Sequence, residues 1–580
     1  MTTNFPHARR HGATLVAFVC LVCATAAPAD AASVAPVAAE NGMVVTAQHL
    51  ATEVGVDVLK RGGNAVDAAV AIGYALAVVY PAAGNLGGGG FMTLQLADGR
   101  KTVLDFREKA PLAATAAMYL DAAGNVVKGS TTVGHLAVAV PGTVSGLEVA
   151  LTEYGTMKRA DLIAPAIRFA EQGFVLDRGD ADMFATASEA FKADAATAAI
   201  FLNDGKAWGV GDLLVQRDLA ATLRQISEAG AAGFYQGPVG RAIVASSRAG
   251  KGIIVQADLD RYATRELAPV ECDYRGYRIV SPPPPSSGGV VVCEILNILE
   301  GYPLKAWGFR SAQAVHVQIE AMRHAYLDRN TALGDPDFVT NPLERLLDKD
   351  YAARIRVAID PEHAAVSTLQ PGVAPHEGSN TTHYSVVDAK GNAVAVTYTL
   401  NDWFGAKVTA AGTGVLLNNE MDDFTTKLGV PNQYGLVQGE ANAVAPGKRP
   451  LSSMSPTIVT RTGQPVMVLG TPGGSRIITA VVHTIINVID YGMNVQEAVD
   501  ATRFHQQGQP TPTFVEPFAL SPDTRKILEG MGHVFAGAQP ANHVAAILIG
   551  APSLGGKPVG RNRFYGANDP RRNTGLALGY

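Results

Sequence analysis

The chain has 580 residues, 47% of them hydrophobic and 17% charged, with a formal net charge of −5. This is the composition of a well-packed globular protein with material for large cores, and it gives no basis for a nucleic-acid partner, since no long basic run occurs. The 61 glycines cluster in runs where the backbone must turn tightly or pass close to something.

Residues 1–31 read as an export signal. His7, Arg9, Arg10 and His11 give a basic start, residues 13–26 an apolar core, and Ala29-Asp30-Ala31 a small-residue cleavage pattern. The apolar run is too short for a membrane span, so no stable membrane anchor is expected. The product is expected to be exported, to a periplasm or beyond the cell. Cys20 and Cys23 would leave with the signal; Cys272 and Cys293 remain, either bridged or as two buried thiols.

Beyond the signal, residues 43–79 show helical spacing, broken at Gly62-Gly63-Asn64. Asn85-Leu86-Gly87-Gly88-Gly89-Gly90 precedes a strand over 91–95. A phosphate cradle would open a helix and carry a Lys-Ser/Thr pair, so these glycines are read as close backbone packing beside a pocket. A strand over 103–108 ends in Asp105-Phe106-Arg107-Glu108. Residues 151–267 are mostly helical and read as a covering layer. The proline-rich stretch 281–289 is a stiff bend into a buried helix over 290–299. A further helix, 312–329, puts His316, Glu320 and His324 one turn apart on one face, a stack that could hold zinc. The HExxH pattern is absent, however, and neither a metal nor any other cofactor is expected.

Residues 360–380 are weakly periodic and rich in turn formers, as an accessible segment ahead of a cut should be. Thr381-Thr382-His383-Tyr384-Ser385-Val386-Val387-Asp388 then opens an alternating strand, and residues 393–401 form a second. A three-residue loop with Gly391 left-handed pairs Asp388 with Asn392. Counting back puts Thr399 opposite Thr381, with Asn401 one step beyond on the same face. A threonine at the head of a chain carries its own general base, an α-amino group of reference pKa roughly 7.7–8.0. A cut before Thr381 would therefore unite nucleophile and base in one residue. The competing reading is a half-buried hairpin whose threonines serve β propensity.

After the hairpin, residues 418–424 form an acidic turn and 431–450 a Gly- and Pro-punctuated loop containing Tyr434, which returns to Leu451-Ser452-Ser453-Met454-Ser455-Pro456. Gly470-Thr471-Pro472-Gly473-Gly474-Ser475-Arg476 opens a helix. Backbone N–H groups exposed at such a start can stabilise an oxyanion, and the paired glycines remove side chains that would block approach.

Taken in order, Asn85-Leu86-Gly87-Gly88-Gly89-Gly90-Phe91, Asp105-Phe106-Arg107-Glu108, Pro283-Pro284-Pro285-Ser286-Ser287-Gly288-Gly289, Glu320-Ala321-Met322-Arg323-His324-Ala325-Tyr326, the Thr381 strand, Arg449-Pro450-Leu451-Ser452-Ser453-Met454-Ser455-Pro456 and Gly473-Gly474-Ser475-Arg476 resemble the γ-glutamyltranspeptidases, or glutathione hydrolases, of the N-terminal nucleophile superfamily. The resemblance covers nearly the whole mature chain. It implies an α+β, four-layer αββα sandwich and self-cleavage between Asn380 and Thr381 into a large subunit, 32–380, and a small catalytic subunit, 381–580. It implies Thr381 as nucleophile, Thr399 as its hydrogen-bonding partner, and Gly473 and Gly474 as oxyanion donors. Arg107, Ser452 and Ser453 would take the substrate's α-carboxylate. Asn401, Glu420 and Asp423 would take its α-amino end, under a lid carrying Tyr434. A γ-glutamyl head is one ammonium and one carboxylate, and this set offers anions for one and a guanidinium with hydroxyls for the other. The implied partners are glutathione and other γ-glutamyl compounds, with water, amino acids or peptides as acceptors. The alternative is a glutaryl or cephalosporin acylase on the same scaffold.

Overall fold

Two antiparallel sheets of seven strands each lie face to face. The computed structural model describes residues 1–2, 33–365, 380–538 and 542–580. The export signal expected over 1–31 and most of the segment expected ahead of the cut lie outside the described residues. Across the first sheet the strands run Val37–Ala39, Phe564–Asn568, Ala545–Ile549, Gln464–Gly470, Thr457–Arg461, Tyr277–Ser281 and Val270–Tyr274. Across the second they run Leu576–Gly579, Met43–Thr46, Thr382–Val387, Ala393–Thr399, Gly89–Gln95, Lys101–Phe106 and Arg265–Leu267.

Strand periodicity sorts the side chains into layers. Val387, Ala393 and Ala395 point inward with Met43, Val45, Val280, Ile458, Val468, Ile547 and Phe564, filling the space between the sheets. Their neighbours Val386, Val394 and Val396 point outward, as alternation requires, and pack under the helices His49–Lys60, Ala65–Val79 and Thr143–Tyr154. On the outer face of the first sheet, Val459, Met467 and Leu469 pack under Gly288–Leu299, Ala312–Ala332 and Arg476–Ile489. The result is the α+β, αββα sandwich. Each fully buried valine or leucine contributes on the order of 1.5–3 kcal/mol.

The local signals act as expected in most places. Asn64 ends the glycine break and caps Ala65–Val79: its side chain accepts from the Val66 and Asp67 N–H groups, while Asp67 accepts from the Asn64 N–H at 2.8 Å. Residues 43–46, expected to be helical, are instead the strand Met43–Thr46. It pairs with Thr382–Val387 on one side and Leu576–Gly579 on the other, so β-branched Val44-Val45-Thr46 follows its tertiary partners rather than the helical spacing downstream.

The glycine run does pack closely. A Cβ on Gly88 would lie 1.9 Å from the Thr399 carbonyl oxygen, and one on Gly90 would lie 2.4 Å from that of Thr397. Gly89–Gln95 is thus pressed against the strand that ends in Thr399. Cys272 and Cys293 form a disulfide joining Val270–Tyr274 to Gly288–Leu299. Among the described residues, no helix is long and apolar enough to cross a membrane.

Candidate active site

The hairpin register is the one the turn predicts. Thr382 faces Tyr398, Val387 faces Ala393, and Gly391 takes a φ of 94° in the loop. One step past the last ladder pair, the Thr381 hydroxyl donates to the Thr399 hydroxyl at 3.0 Å. Thr399 Oγ1 also accepts the Asn401 N–H at 2.8 Å, so it takes two hydrogen bonds, one from each side of the strand end.

Thr381 itself is strained. Its φ is 89°, a region that β-branched residues rarely enter and that costs about 1–3 kcal/mol. The preceding carbonyl is held by a donor: Asn380 O accepts the Gly473 N–H at 3.0 Å. Gly473, at φ 128°, has no room for a side chain, because a Cβ would lie 2.3 Å from Asn542 Nδ2. Gly474, at φ 56°, lies under the Tyr434 ring, where a Cβ would come within 2.5 Å of Cδ1.

Thr381, Thr399, Asn401, Arg107, Glu420, Asp423, Tyr434, Ser452, Ser453 and Gly474 line one pocket of about 320 Å³, mouth included. Gly473 stands beside it. Each residue has a local reason to be there. Glu420–Asp423 is a turn of 3₁₀ helix, in which positions three apart eclipse, so Glu420 and Asp423 face the same way. Asp422 turns aside to accept from the Thr131 hydroxyl at 2.6 Å and the Gln433 N–H at 2.9 Å, tying down the Tyr434 loop. Tyr434 then donates to Asn401 Oδ1 at 2.7 Å and accepts from Asn380 Nδ2 at 3.4 Å. The bend before the helix Gly288–Leu299 holds the serines: the Ser287 N–H and hydroxyl both donate to the Ser452 carbonyl, at 2.8 and 2.7 Å.

The charges at the pocket meet directly. Arg107 is 1% exposed and donates through Nη1 to Glu420 and through Nη2 to Asp423, with Glu108 at 3.6 Å. Burial works against the guanidinium's charge, but Glu420, Asp423 and Glu108 outweigh it and hold its pKa above the usual arginine range. Burial pushes the Glu108 carboxyl up to about 7, the Arg107 charge offsetting only part of the effect. Glu420 is likewise raised by burial, and further by Glu108 and Asp423. One guanidinium serves three acids, so the cluster keeps acceptors that an entering ammonium can use. Burial also lifts Tyr434 well above the ordinary phenol range, with Asp423 and Asp402 adding to it, so its hydroxyl stays a donor.

His316, Glu320 and His324 lie on one helix, but they do not gather as a zinc-type stack. His316 and Glu320 converge with His533, not with His324. His316 Nδ1 lies 2.8 Å from His533 Nε2, its other nitrogen 2.8 Å from the Asp360 carbonyl, and none of the three lines the Thr381 pocket. The helix Ala312–Ala332 reaches that pocket through Arg329 instead. Sequence reasoning missed this residue because Tyr326-Leu327-Asp328-Arg329 reads as ordinary helix packing and pairing. Asp328 in fact bonds Arg345 at 3.2 Å and Tyr351 at 2.5 Å, while Arg329, about 100° further round the helix, points inward.

Comparison with known proteins agrees with this geometry. A family model described as Gamma-glutamyltranspeptidase matches residues 51–579. The chain is 72% identical to a glutathione hydrolase proenzyme of Pseudomonas sp. (strain A14), over 95% of this chain and 96% of that one. It is 48% identical to the glutathione hydrolase proenzyme of Escherichia coli (strain K12), over 98% of each. Among solved structures, the cephalosporin acylase from Bacillus halodurans is similar, with a TM-score of 0.82 at 28% identity, covering 96% of this chain and 98% of that one. With its threonine-headed hairpin, its glycine-lined carbonyl site and a family match over residues 51–579, the chain belongs to the γ-glutamyltranspeptidase family.

Proposed function

We propose that this protein is an exported glutathione hydrolase and γ-glutamyl transferase that matures by cutting itself between Asn380 and Thr381, giving subunits 32–380 and 381–580. The observation that carries this reading is the junction itself. A strained threonine sits with its hydroxyl on Thr399, and the adjoining carbonyl sits on the Gly473 N–H. The Cys272–Cys293 disulfide supports export, since such bridges persist in oxidising compartments.

Maturation begins when Thr381 Oγ1 attacks the Asn380 carbonyl carbon. The oxyanion forms on the Gly473 N–H, the C–N bond breaks, and the amine leaves protonated. The resulting ester is opened by water, freeing Asn380 as a carboxylate and Thr381 as a chain head. Cleavage also releases the backbone strain at Thr381.

In turnover, the neutral Thr381 amine accepts the hydroxyl proton as Oγ1 attacks the γ-carbonyl of the substrate. Gly473 and Gly474 stabilise the oxyanion; losing one such donor costs about 2.7–4 kcal/mol. The leaving amine, cysteinylglycine when glutathione is the substrate, takes the proton and departs. A γ-glutamyl ester remains on Thr381. Water yields glutamate, and an amino acid or peptide yields a transfer product. Glu420, Asp423 and the Asn401 amide receive the ammonium, Arg107, Ser452 and Ser453 the carboxylate, and Tyr434 covers them.

The similar cephalosporin acylase fold makes acyl selection the deciding test. Release from a γ-glutamyl anilide is expected to exceed release from the glutaryl anilide, which lacks the ammonium, by at least about 30-fold, since an unpaired buried charge costs 2 kcal/mol or more. A preference for the glutaryl compound would make the enzyme an acylase. Thr399→Ala removes the hydrogen-bond acceptor that orients the nucleophile's hydroxyl and is expected to slow both self-cleavage and turnover about 10- to 1000-fold. Gel time courses and anilide kinetics read the two rates, and normal values for both would remove Thr399 from the mechanism.

A further inference from the structure

Arg329 is 1% exposed and lines the same pocket as Thr381. Its guanidinium is held entirely by neutral acceptors. Nε donates to the Ser287 hydroxyl at 2.9 Å, Nη1 to Asn330 Oδ1 at 2.8 Å and Gln438 Oε1 at 3.0 Å, and Nη2 to the Ser453 hydroxyl at 3.2 Å. Among the described residues it forms no ion pair with a carboxylate, in contrast to Arg107, which forms three. The acid that does act on it, Asp423, is already bonded to Arg107, and the Arg107 charge opposes its own. Burial pulls its pKa down to about 10, so it remains a cation at neutral pH.

A buried charge without a counter-ion is costly and persists where something else requires it. Here the neighbouring groups divide the pocket into two signs. Arg107 is already paired with Glu420 and Asp423, the acids that also suit an ammonium. The Arg329 side, with the Ser453 hydroxyl, is a cation lacking an anion. We propose that Arg329 is a substrate-binding residue that selects acyl groups bearing an α-carboxylate, giving that carboxylate a second guanidinium beside Arg107. The proposal rests on the γ-glutamyl reading above and adds to it the residue that recognises the carboxylate.

The test compares two anilides on mature enzyme: the γ-glutamyl compound and its decarboxylated analogue, 4-aminobutyryl anilide, which keeps the ammonium and the scissile bond. Arg329→Met is expected to lower kcat/KM for the γ-glutamyl compound by about 30-fold or more, mainly through KM, while changing the analogue less than about 3-fold. Arg329→Lys keeps the charge but not the fork, and is expected to show the same selective loss at smaller size. Equal losses on both substrates in either variant would make Arg329 a structural residue and overturn the proposal, as would an unchanged KM for the γ-glutamyl compound. If Arg329→Met does not mature into two subunits, the lysine variant decides alone. Wild-type enzyme that ignores the γ-glutamyl anilide and cleaves the glutaryl one would instead refute the underlying function.

Discussion

Thr381→Ala is expected to leave one uncut chain spanning the Asn380–Thr381 bond, with turnover reduced by on the order of 10⁶-fold, as when a nucleophile that works as a unit with its base is lost. The size follows from the double use of the residue. Its hydroxyl attacks twice, first on Asn380 and then on substrate, and its amine exists only after the first attack has succeeded. Thr381→Ser is the informative companion, because it keeps hydroxyl and amine and lacks only the β-methyl. It should mature and turn over at reduced rates. Denaturing gels and N-terminal sequencing read the cut, and anilide release reads the activity. Two subunits in the alanine variant would show that an outside protease makes the cut.

The second large effect is expected at Arg107. Arg107→Gln leaves Glu420, Asp423 and Glu108 facing one another without their guanidinium, and removing one partner from a buried ionic cluster typically destabilises by about 3–5 kcal/mol. Two of those acids would take up protons, so the variant should be most stable at mildly acidic pH. The sign follows from Glu108 and Glu420, whose carboxyls are already raised and would rise further; protonated acids do not repel, and stability falls as pH climbs through their pKa values. kcat/KM for γ-glutamyl substrate is expected to drop at least about 100-fold. Arg107→Lys should recover part of the stability and little of the binding, since it restores charge without the two-pronged geometry. A glutamine variant with wild-type KM and melting behaviour would remove Arg107 from the site.

The hairpin was legible because three local facts converge on one register: Asp388 and Asn392 flank a turn that needs a left-handed glycine, Gly391 supplies it, and period-two alternation carries the count back to Thr381. The glycine run at 87–90 was legible for a similar reason, since its lack of helix and lysine excluded a phosphate cradle. What could not be read was set by non-local packing. Met43–Thr46 becomes a strand through partners more than 300 residues away. Arg107 meets Glu420 and Asp423 because the edge of one strand and a distant 3₁₀ turn end at one place, and no spacing rule reports that. Nor could the inward turn of Arg329 be separated from its neighbour Asp328 without knowing which helix face meets the serines. The histidine stack shows the reverse error: helical spacing rightly aligned His316 with Glu320 but could not reveal that His533 lies closer than His324.

The strand orders of the two sheets bear on what happens after the bond at Thr381 is cut. In the second sheet, Met43–Thr46 from the upstream piece lies between Leu576–Gly579 and Thr382–Val387 from the downstream piece, and in the first sheet four downstream strands are bracketed by upstream ones. The two fragments are therefore braided, and neither can depart without tearing a sheet apart. Folding of the precursor is unimolecular, whereas re-forming the mature enzyme from unfolded fragments is second order and must interleave their strands in both sheets. The cut makes the native state a one-way product, whose lifetime is governed by its unfolding rate rather than by an equilibrium with a refoldable chain.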